Sequence, residues 1–322
     1  MSNISLGSKT GLNLITGANG FVGSGLVARL AGDKVETLAC IRGDMVLLPE
    51  GVRVAPLAEL NAKTDWREVL VGVKNLVHLA ARVHVTHDTE ADPLMAFRVV
   101  NVDSTLNLAR QAAAEGVKRF VFVSSVKVNG ECTLPGRAYS EADIPDPQDY
   151  YGKSKHEAEQ GLRQLSAETG MEVVIIRPPL VYGPGVKANF AALMRAVQCG
   201  WPLPLGSVHN QRSFVALDNL VDFIVTCITH PNAANQTFLV SDGQDLSTTE
   251  LVCGMAQAAR VTARLLPVPV WALQAGASLL GKGDAARRLC GNLQVDMSKA
   301  RSLLSWVPPV CVEEGLQRAM AV

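Results

Sequence analysis

The sequence predicts an α/β protein with a doubly wound parallel sheet and a smaller C-terminal lobe. In the first half of the chain, short apolar runs of β type alternate with stretches of helical spacing. The β-type runs are almost continuously apolar, as expected when helices cover both faces of a parallel sheet. Because right-handed βαβ connections join such strands, the alternation indicates a Rossmann-type fold.

The strands and helices of this sheet follow in chain order. The predicted strands are Leu12–Thr16, Val35–Ile41, Val52–Ala55, Asn75–Ala80, Phe120–Ser124 and Glu172–Ile176. The helices between them are predicted at Gly25–Leu30, Trp66–Val71 and Pro93–Glu115. The last strand stops at Arg177-Pro178-Pro179, since proline cannot continue a central strand.

From Val181 onwards glycine and proline become dense and the β/α rhythm weakens. We therefore predict a dinucleotide-binding domain over residues 1–180 and a lobe that mainly binds substrate over 181–322. In this lobe the predicted strands are Phe214–Ala216 and Thr237–Ser241, and the predicted helices are Leu251–Arg260 and Trp271–Leu280. The apolar stretch 265–280 is shorter than the roughly 20 residues that a bilayer span needs. We expect it to form an amphipathic helix of the core.

Composition excludes several classes of partner. The 322 residues include 30 basic and 30 acidic ones, so neither nucleic acid nor a broad anionic surface is expected as a partner. The seven cysteines stand singly, which argues against a disulfide framework and for a reducing compartment. The first residues lack the pattern of a secretory signal. We expect a cytoplasmic protein with no membrane insertion and no metal site.

A glycine turn follows the first strand. Gly17, Gly20 and Gly23 are spaced three apart, and a helix begins near Phe21. Glycines allow a tight turn in which backbone amides approach a pyrophosphate, and the helix N-terminus adds its positive dipole end. The turn therefore predicts a dinucleotide site.

A tyrosine and a lysine, Tyr151 and Lys155, lie four residues apart in a helical stretch and so project from one face. A phenol has a pKa near 10, and a nearby ammonium group favours its ionised form. We therefore expect Lys155 to lower the pKa of Tyr151 towards the working range. Ser124 and Ser125 end the fifth predicted strand, where ligand groups gather in parallel sheets.

Together these motifs resemble the extended short-chain dehydrogenase/reductase family, which includes sugar-nucleotide epimerases, dehydratases and reductases. The resemblance covers Leu12 to about Pro309. It implies that Ser125, Tyr151 and Lys155 are catalytic, and that Asn101 helps to position the active-site helix. Homodimers built on two helices per subunit are usual in such relatives, so a homodimer is expected.

The resemblance also assigns binding residues. The cofactor is expected to contact Gly17, Asn19, Gly20, Phe21, Val22, Arg42, Leu79, Ala80, Ala81, Asn101, Ser124, Tyr151, Lys155 and Pro178. The nucleotide-sugar substrate is expected to contact Ser125, Tyr151, Asn189 and Arg212, with Arg287 or Arg288 as a second arginine for the diphosphate. His78 is expected to be a core histidine and not a catalyst.

Two departures from the family pattern narrow the choice of cofactor and of reaction. Arg42 follows the second strand where an NAD enzyme usually has an acidic residue. Arg42 suits a 2′-phosphate, which favours NADP(H), whereas the nearby Asp44 leaves NAD(H) open. After Ser125 the acid–base pair of the dehydratases is missing, and Asn129 stands where a tyrosine is common.

The main functional prediction is hydride transfer at C4 of a nucleotide sugar, as NAD(P)H-dependent reduction of a UDP-4-keto-6-deoxy-N-acetylhexosamine for surface polysaccharide. It depends on Arg42, on Asn129 and on the similarity of VHLAARVHVTHD, VFVSSVKVNG and LQVDMSKARSLLSW to bacterial C4 reductases. The alternative is a UDP-glucose or UDP-N-acetylglucosamine 4-epimerase with tightly bound NAD. A third possibility is a protein that binds the cofactor without catalysis.

Overall fold

A computed structural model describes residues 11–43, 47–57, 59–83, 92–281 and 283–321. Seven parallel strands form the main sheet, in the order β3-β2-β1-β4-β5-β6-β9. Their bounds are Leu12–Thr16 (β1), Thr37–Arg42 (β2), Arg53–Leu57 (β3), Val73–His78 (β4), Arg119–Val123 (β5), Glu172–Arg177 (β6) and Thr237–Leu239 (β9). Two further parallel strands, Leu180–Tyr182 (β7) and Phe214–Ala216 (β8), pair with each other.

Twelve α-helices are described around these sheets. The first six are Phe21–Gly32 (α1), Arg67–Leu70 (α2), Pro93–Arg98 (α3), Ser104–Ala114 (α4), Tyr150–Thr169 (α5) and Ala188–Gln198 (α6). The others are Leu217–Thr229 (α7), Thr248–Ala258 (α8), Val270–Leu279 (α9), Gly283–Cys290 (α10), Ser298–Leu304 (α11) and Val312–Met320 (α12). None of the described helices has the length and apolar character needed to cross a membrane.

The alternation of side chains along the strands explains why the sequence forms a covered parallel sheet. Leu14 and Ile15 are both fully buried, but they point to opposite faces and enter different hydrophobic clusters. One cluster lies under α1 and α7, and the other lies under α4 and α5. The predicted doubly wound fold is therefore confirmed, and the predicted strand ends differ from the observed ones by a few residues.

The predicted helix Pro93–Glu115 is not uniform. A π-helical turn at Val99–Asp103 separates α3 from α4. Such turns insert an extra residue into a helix and are frequent at functional sites. Asn101, in this turn, donates a hydrogen bond to Ser154 of α5.

The second half of the chain contributes both to the main sheet and to a separate hydrophobic core. Strand β9 joins the main sheet beside β6, and α7 packs on α1. Tyr182, Phe190 and Phe214 instead belong to a separate core, built with α6, α8 and α12. The sequence analysis did not predict β7, α6, α7 or the helices after α9. Glycine and proline are dense between these elements, so the regular alternation of strands and helices is lost there.

The prediction that residues 265–280 form a core helix is wrong in part. A helix does form, as α9, but none of its residues is buried. Val270 and Leu273 only border the core of the smaller lobe, and Trp271 and Leu279 are largely exposed.

Candidate active site

The glycine turn lies at the carboxyl end of β1, against the residues that follow β4. Gly17 has φ +67°, and a Cβ there would lie 2.7 Å from the backbone nitrogen of Ala80. A Cβ on Gly23 would lie 2.1 Å from the carbonyl oxygen of Gly17. Only glycine fits both positions, since the first needs a left-handed backbone and the second allows α1 to pack onto the turn.

The N-terminus of α1 is open towards this turn. Gly20 is its N-cap residue, no side chain caps the helix, and its first turn carries no acidic residue. Asn19 donates a hydrogen bond of 3.1 Å from Nδ2 to the carbonyl oxygen of Arg42, which joins the ends of β1 and β2. The sheet order reverses between β1 and β4, and ligands bind at such switch points. Uncapped amides and the helix dipole here fit a pyrophosphate.

The other predicted cofactor residues surround the same edge of the sheet. Phe21 and Val22 form the first turn of α1, and Leu79, Ala80 and Ala81 follow β4; all five are partly exposed. Asp44, the acidic residue that leaves NAD(H) possible as the cofactor, lies outside the described residues.

Helix α5 carries Tyr151 and Lys155 on one face. Its N-cap, Asp149, accepts a hydrogen bond of 2.7 Å from the amide of Gly152, so Tyr151 lies in the first turn and Lys155 in the next. Lys155 is buried, and its Nζ donates a 2.9 Å hydrogen bond to the carbonyl oxygen of Val123, at the end of β5. The same Nζ lies 5.9 Å from the centroid of the Tyr151 ring.

Burial changes the protonation of this pair. It lowers the pKa of Lys155 to about 7, although the Glu159 carboxylate opposes the change. Burial, with the nearby Asp149, raises the pKa of Tyr151. Burial and Asp149 thus outweigh, in this structure, any lowering of the Tyr151 pKa by Lys155. At neutral pH Tyr151 keeps its proton.

The two serines after β5 have different partners. Ser124 is buried and donates a 2.6 Å hydrogen bond to Oε1 of Glu159. Ser125 is partly exposed, and its Oγ accepts a 3.2 Å hydrogen bond from the amide of Lys127. Of the two hydroxyls, that of Ser125 is the one available to a substrate.

A buried ion pair lies beneath the serines. Glu159 is fully buried and accepts hydrogen bonds of 2.9 and 2.6 Å from Nε and Nη2 of Arg177. Arg177 also donates to Oδ1 of Asn129 at 3.0 Å, and Asn129 donates to the carbonyl oxygen of Ser140 at 2.9 Å. Asn129 thus secures the buried guanidinium.

Sequence reasoning missed Glu159. The signal was its position one helical turn after Lys155, together with an arginine at the end of a central strand that needs a buried partner.

Asn101 links the residues after β4 to the active-site helix. Within the π-helical turn, its Nδ2 donates 2.9 Å hydrogen bonds to the carbonyl oxygen of Arg82 and to Oγ of Ser154. Its Oδ1 accepts from the amide of Arg82 at 2.7 Å. Ser154 in turn donates to the carbonyl oxygen of Tyr151 at 2.8 Å. This geometry matches the expected positioning role of Asn101.

His78 is a core residue, as expected. It is fully buried, and its ring nitrogens lie 2.7 Å from Oγ1 of Thr16 and 2.9 Å from Oγ1 of Thr105. Burial lowers its pKa to about 3, so the ring is neutral at physiological pH.

Two of the four predicted substrate residues, Asn189 and Arg212, lie in the second half of the chain. Asn189 is exposed in the first turn of α6. Arg212 Nη1 donates to the carbonyl oxygens of Arg288 and, at 3.1 Å, of Gly291, so the two predicted diphosphate arginines are neighbours. Pro178 is buried, and its carbonyl oxygen accepts a 3.0 Å hydrogen bond from the amide of Val126.

A glycine turn at a topological switch point of the sheet, with a serine after β5 and a tyrosine and a buried lysine on the helix that packs against the end of β5, is the arrangement of a dinucleotide-dependent oxidoreductase site. The pattern of the NAD dependent epimerase/dehydratase family matches residues 13–241, and the chain belongs to this family. It is 49% identical over 306 residues to a UDP-glucose 4-epimerase from Vibrio cholerae, with 95% of this chain and 93% of that protein covered.

Solved structures agree in fold. A UDP-N-acetylglucosamine 4-epimerase from Bacillus cereus superposes with a TM-score of 0.78 at 19% identity, covering 97% of this chain and 99% of that one. A UDP-glucuronic acid 4-epimerase from the same organism, in complex with NAD, gives a TM-score of 0.77 at 20% identity, covering 96% and 95%.

The predicted family, fold and enzymatic character are confirmed, and the family is one of NAD-dependent enzymes. The relatives favour the epimerase alternative over the C4 reductase that the sequence analysis placed first.

Proposed function

We propose that this protein is a 4-epimerase of a UDP-linked hexose, with UDP-glucose as the first substrate to test. The observation that carries the proposal is that Ser125 follows β5 and that Lys155, on the same helix face as Tyr151, donates to the end of this strand, two strands along the sheet from β1 and the turn at Gly17. The 49% identical Vibrio cholerae relative supports the choice of reaction.

The chain offers a fitting cradle for NAD. The backbone around Gly17 and Gly20 would hold the pyrophosphate, and the residues after β4, from Leu79 to Ala81, would line the ribose. Bound NAD supplies an acceptor, and afterwards a donor, for the hydride at sugar C4.

Tyr151 and Ser125 then act on the sugar oxygen at C4. As hydride leaves C4, Tyr151 takes the hydroxyl proton from this oxygen; because burial keeps the phenol protonated in the resting site, its own proton passes to Lys155, which is partly neutral near pH 7. Both protons return when the other face of the ketone is reduced. The partly exposed hydroxyl of Ser125 polarises the same oxygen. Lys155 has a pKa of about 7, and its Nζ lies 5.9 Å from the centre of the Tyr151 ring. It therefore gains or loses a proton near neutral pH.

Arg212 is proposed as a ligand of the substrate diphosphate. Its Nη1 is held by two backbone carbonyls, whereas Nε and Nη2 have no hydrogen-bond partner within the described part of the chain. Burial lowers the pKa of Arg212, so an anion next to it would offset the cost of desolvating its charge. Asn189 is proposed to contact the nucleotide beside it.

A second candidate, the C4 reductase, is favoured by Arg42. Its exposed side chain ends β2, beside the turn that Asn19 joins, and a guanidinium there suits the 2′-phosphate of NADP(H). Replacing Arg42 with alanine should then weaken NADP binding about tenfold or more and leave NAD binding unchanged. Equal effects on both dinucleotides would remove this support.

The proposed assembly is a homodimer formed by α5 and a second helix of each subunit. Light scattering during gel filtration tests it, and a monomer at micromolar concentration would contradict it.

The reaction is tested with purified protein, UDP-glucose and no added cofactor, with products separated by anion-exchange chromatography. Formation of UDP-galactose is expected, and Tyr151→Phe should abolish it. The matched control is Tyr150→Phe, because Tyr150 is the preceding residue and is 47% exposed. Stoichiometric oxidation of NADPH by a UDP-4-keto-6-deoxy sugar, without epimerisation of UDP-glucose, would instead establish the reductase.

A further inference from the structure

Helix α9 exposes an apolar surface that the proposed reaction does not use. Trp271 is 73% exposed, Leu279 is 89% exposed and the adjoining Leu280 is 76% exposed. Only Val270 and Leu273 border the core of the smaller lobe. Several large exposed apolar side chains on one short element of a folded protein are a feature of interaction surfaces.

The charge around α9 differs from that of the whole chain. Residues 251–295 contain five basic residues and one acidic residue, Asp284, whereas the chain as a whole has 30 of each. The basic ones are Arg260, Arg264, Lys282, Arg287 and Arg288. Arg260 and Arg264 are exposed shortly before the helix, and Arg287 is exposed after it. Helix α9 itself has no charged residue.

We propose that α9 docks the protein on the surface of a bilayer that contains anionic lipids. The exposed tryptophan near one end of this apolar helix suits the interfacial region of a bilayer. The arginines before and after the helix supply the positive charge that attracts anionic lipids, which the helix itself lacks. Its ten residues extend only about 15 Å, so it rests on the bilayer and does not cross it. The flanking arginines pair with lipid phosphates.

A bilayer fits this surface better than a protein partner does. Anionic headgroups complement the exposed Arg260 and Arg264, whereas Arg288 already pairs with Glu131 at 3.6 Å. Acyl chains accept an apolar helix that offers no charge for pairing. Docking would also bring the substrate lobe to the membrane, because α10 follows α9 directly and the carbonyl oxygen of Arg288 binds Arg212. The inference does not depend on which sugar the enzyme uses.

Vesicle flotation tests the proposal. At low salt the full chain should float with phosphatidylglycerol vesicles and remain at the bottom with phosphatidylcholine vesicles. The double variant Arg260→Gln/Arg264→Gln should bind about 30-fold more weakly, at about fivefold for each arginine. The double variant Trp271→Ser/Leu279→Ser should bind phosphatidylglycerol vesicles about tenfold or more weakly than wild type.

Matched controls lie away from α9. Arg110→Gln removes an exposed arginine of α4, and Val71→Ser removes an apolar side chain that is 70% exposed after α2. Neither control should change flotation. Urea unfolding of each variant checks that the fold is retained, as expected for exposed positions.

Three results would overturn the proposal. The first is absence of wild-type flotation with phosphatidylglycerol. The second is flotation that the α9 variants and the controls weaken equally. The third is a wild-type dimer that Trp271→Ser/Leu279→Ser converts to a monomer without any binding to vesicles, which would assign α9 to contact with a second copy of the chain.

Discussion

Replacing the buried Glu159 with glutamine tests the charge beneath the active site. The glutamine keeps the shape of the side chain but leaves the guanidinium of Arg177, which is 2% exposed, without its ionic partner. Breaking a buried pair from one side costs about 3–5 kcal/mol, because a desolvated charge remains unpaired. We therefore expect the free energy of unfolding in urea to fall by this amount.

The same substitution should change the pH dependence of catalysis. The carboxylate of Glu159 raises the pKa of Lys155, opposing the effect of burial, so its removal lowers that pKa further below about 7. The limb of kcat/KM that follows loss of the Lys155 proton should then move to lower pH. If Glu159→Gln only lowered the stability of the fold, this limb of the kcat/KM profile would stay at its wild-type pH.

Glu157→Gln is the control for Glu159→Gln. Glu157 lies on the same helix and pairs with Arg98 at the surface, with side chains 31% and 41% exposed. Such a pair contributes about 0–1 kcal/mol. If Glu159→Gln lowers the free energy of unfolding no more than Glu157→Gln does, the buried Glu159–Arg177 pair does not stabilise the fold as proposed.

Two further predictions concern the glycine turn and the buried histidine. Gly17→Ala places a Cβ 2.7 Å from the backbone of Ala80, so dinucleotide affinity, measured by calorimetry, should fall about tenfold or more. Gly116→Ala has a similar positive φ but open space around it, and should leave the affinity unchanged. His78 has a folded-state pKa of about 3, below its ordinary 6.5, so the unfolded state binds the extra proton between these values and stability falls as pH decreases through this window. His78→Gln should flatten that decrease, by up to about 1.4 kcal/mol per pH unit; an unchanged slope would refute the assignment.

Much of the sheet and the grouping of the candidate site residues on one helix face were predictable, because each depends on local sequence patterns. Continuous apolar runs located the strands, as at Leu14 and Ile15, which are both fully buried. Short spacings such as Tyr151 to Lys155 identified residues on one helix face.

What the sequence did not predict depends on contacts between distant segments. Burial of Lys155 against the end of β5 decides its pKa, and no spacing along the chain indicates that contact. The pairing of Glu159 with Arg177 joins α5 to β6. The exposure of α9 could not be predicted either, since apolar periodicity does not distinguish a core helix from one that faces outwards.

The central claim is that hydride leaves and returns to C4 of one sugar while Tyr151 moves the proton. UDP-glucose carrying deuterium at C4, incubated with the enzyme without added cofactor and followed by NMR, tests it directly. The account predicts UDP-galactose that keeps the deuterium at C4. Loss of the deuterium to solvent, or no UDP-galactose at all, would contradict it.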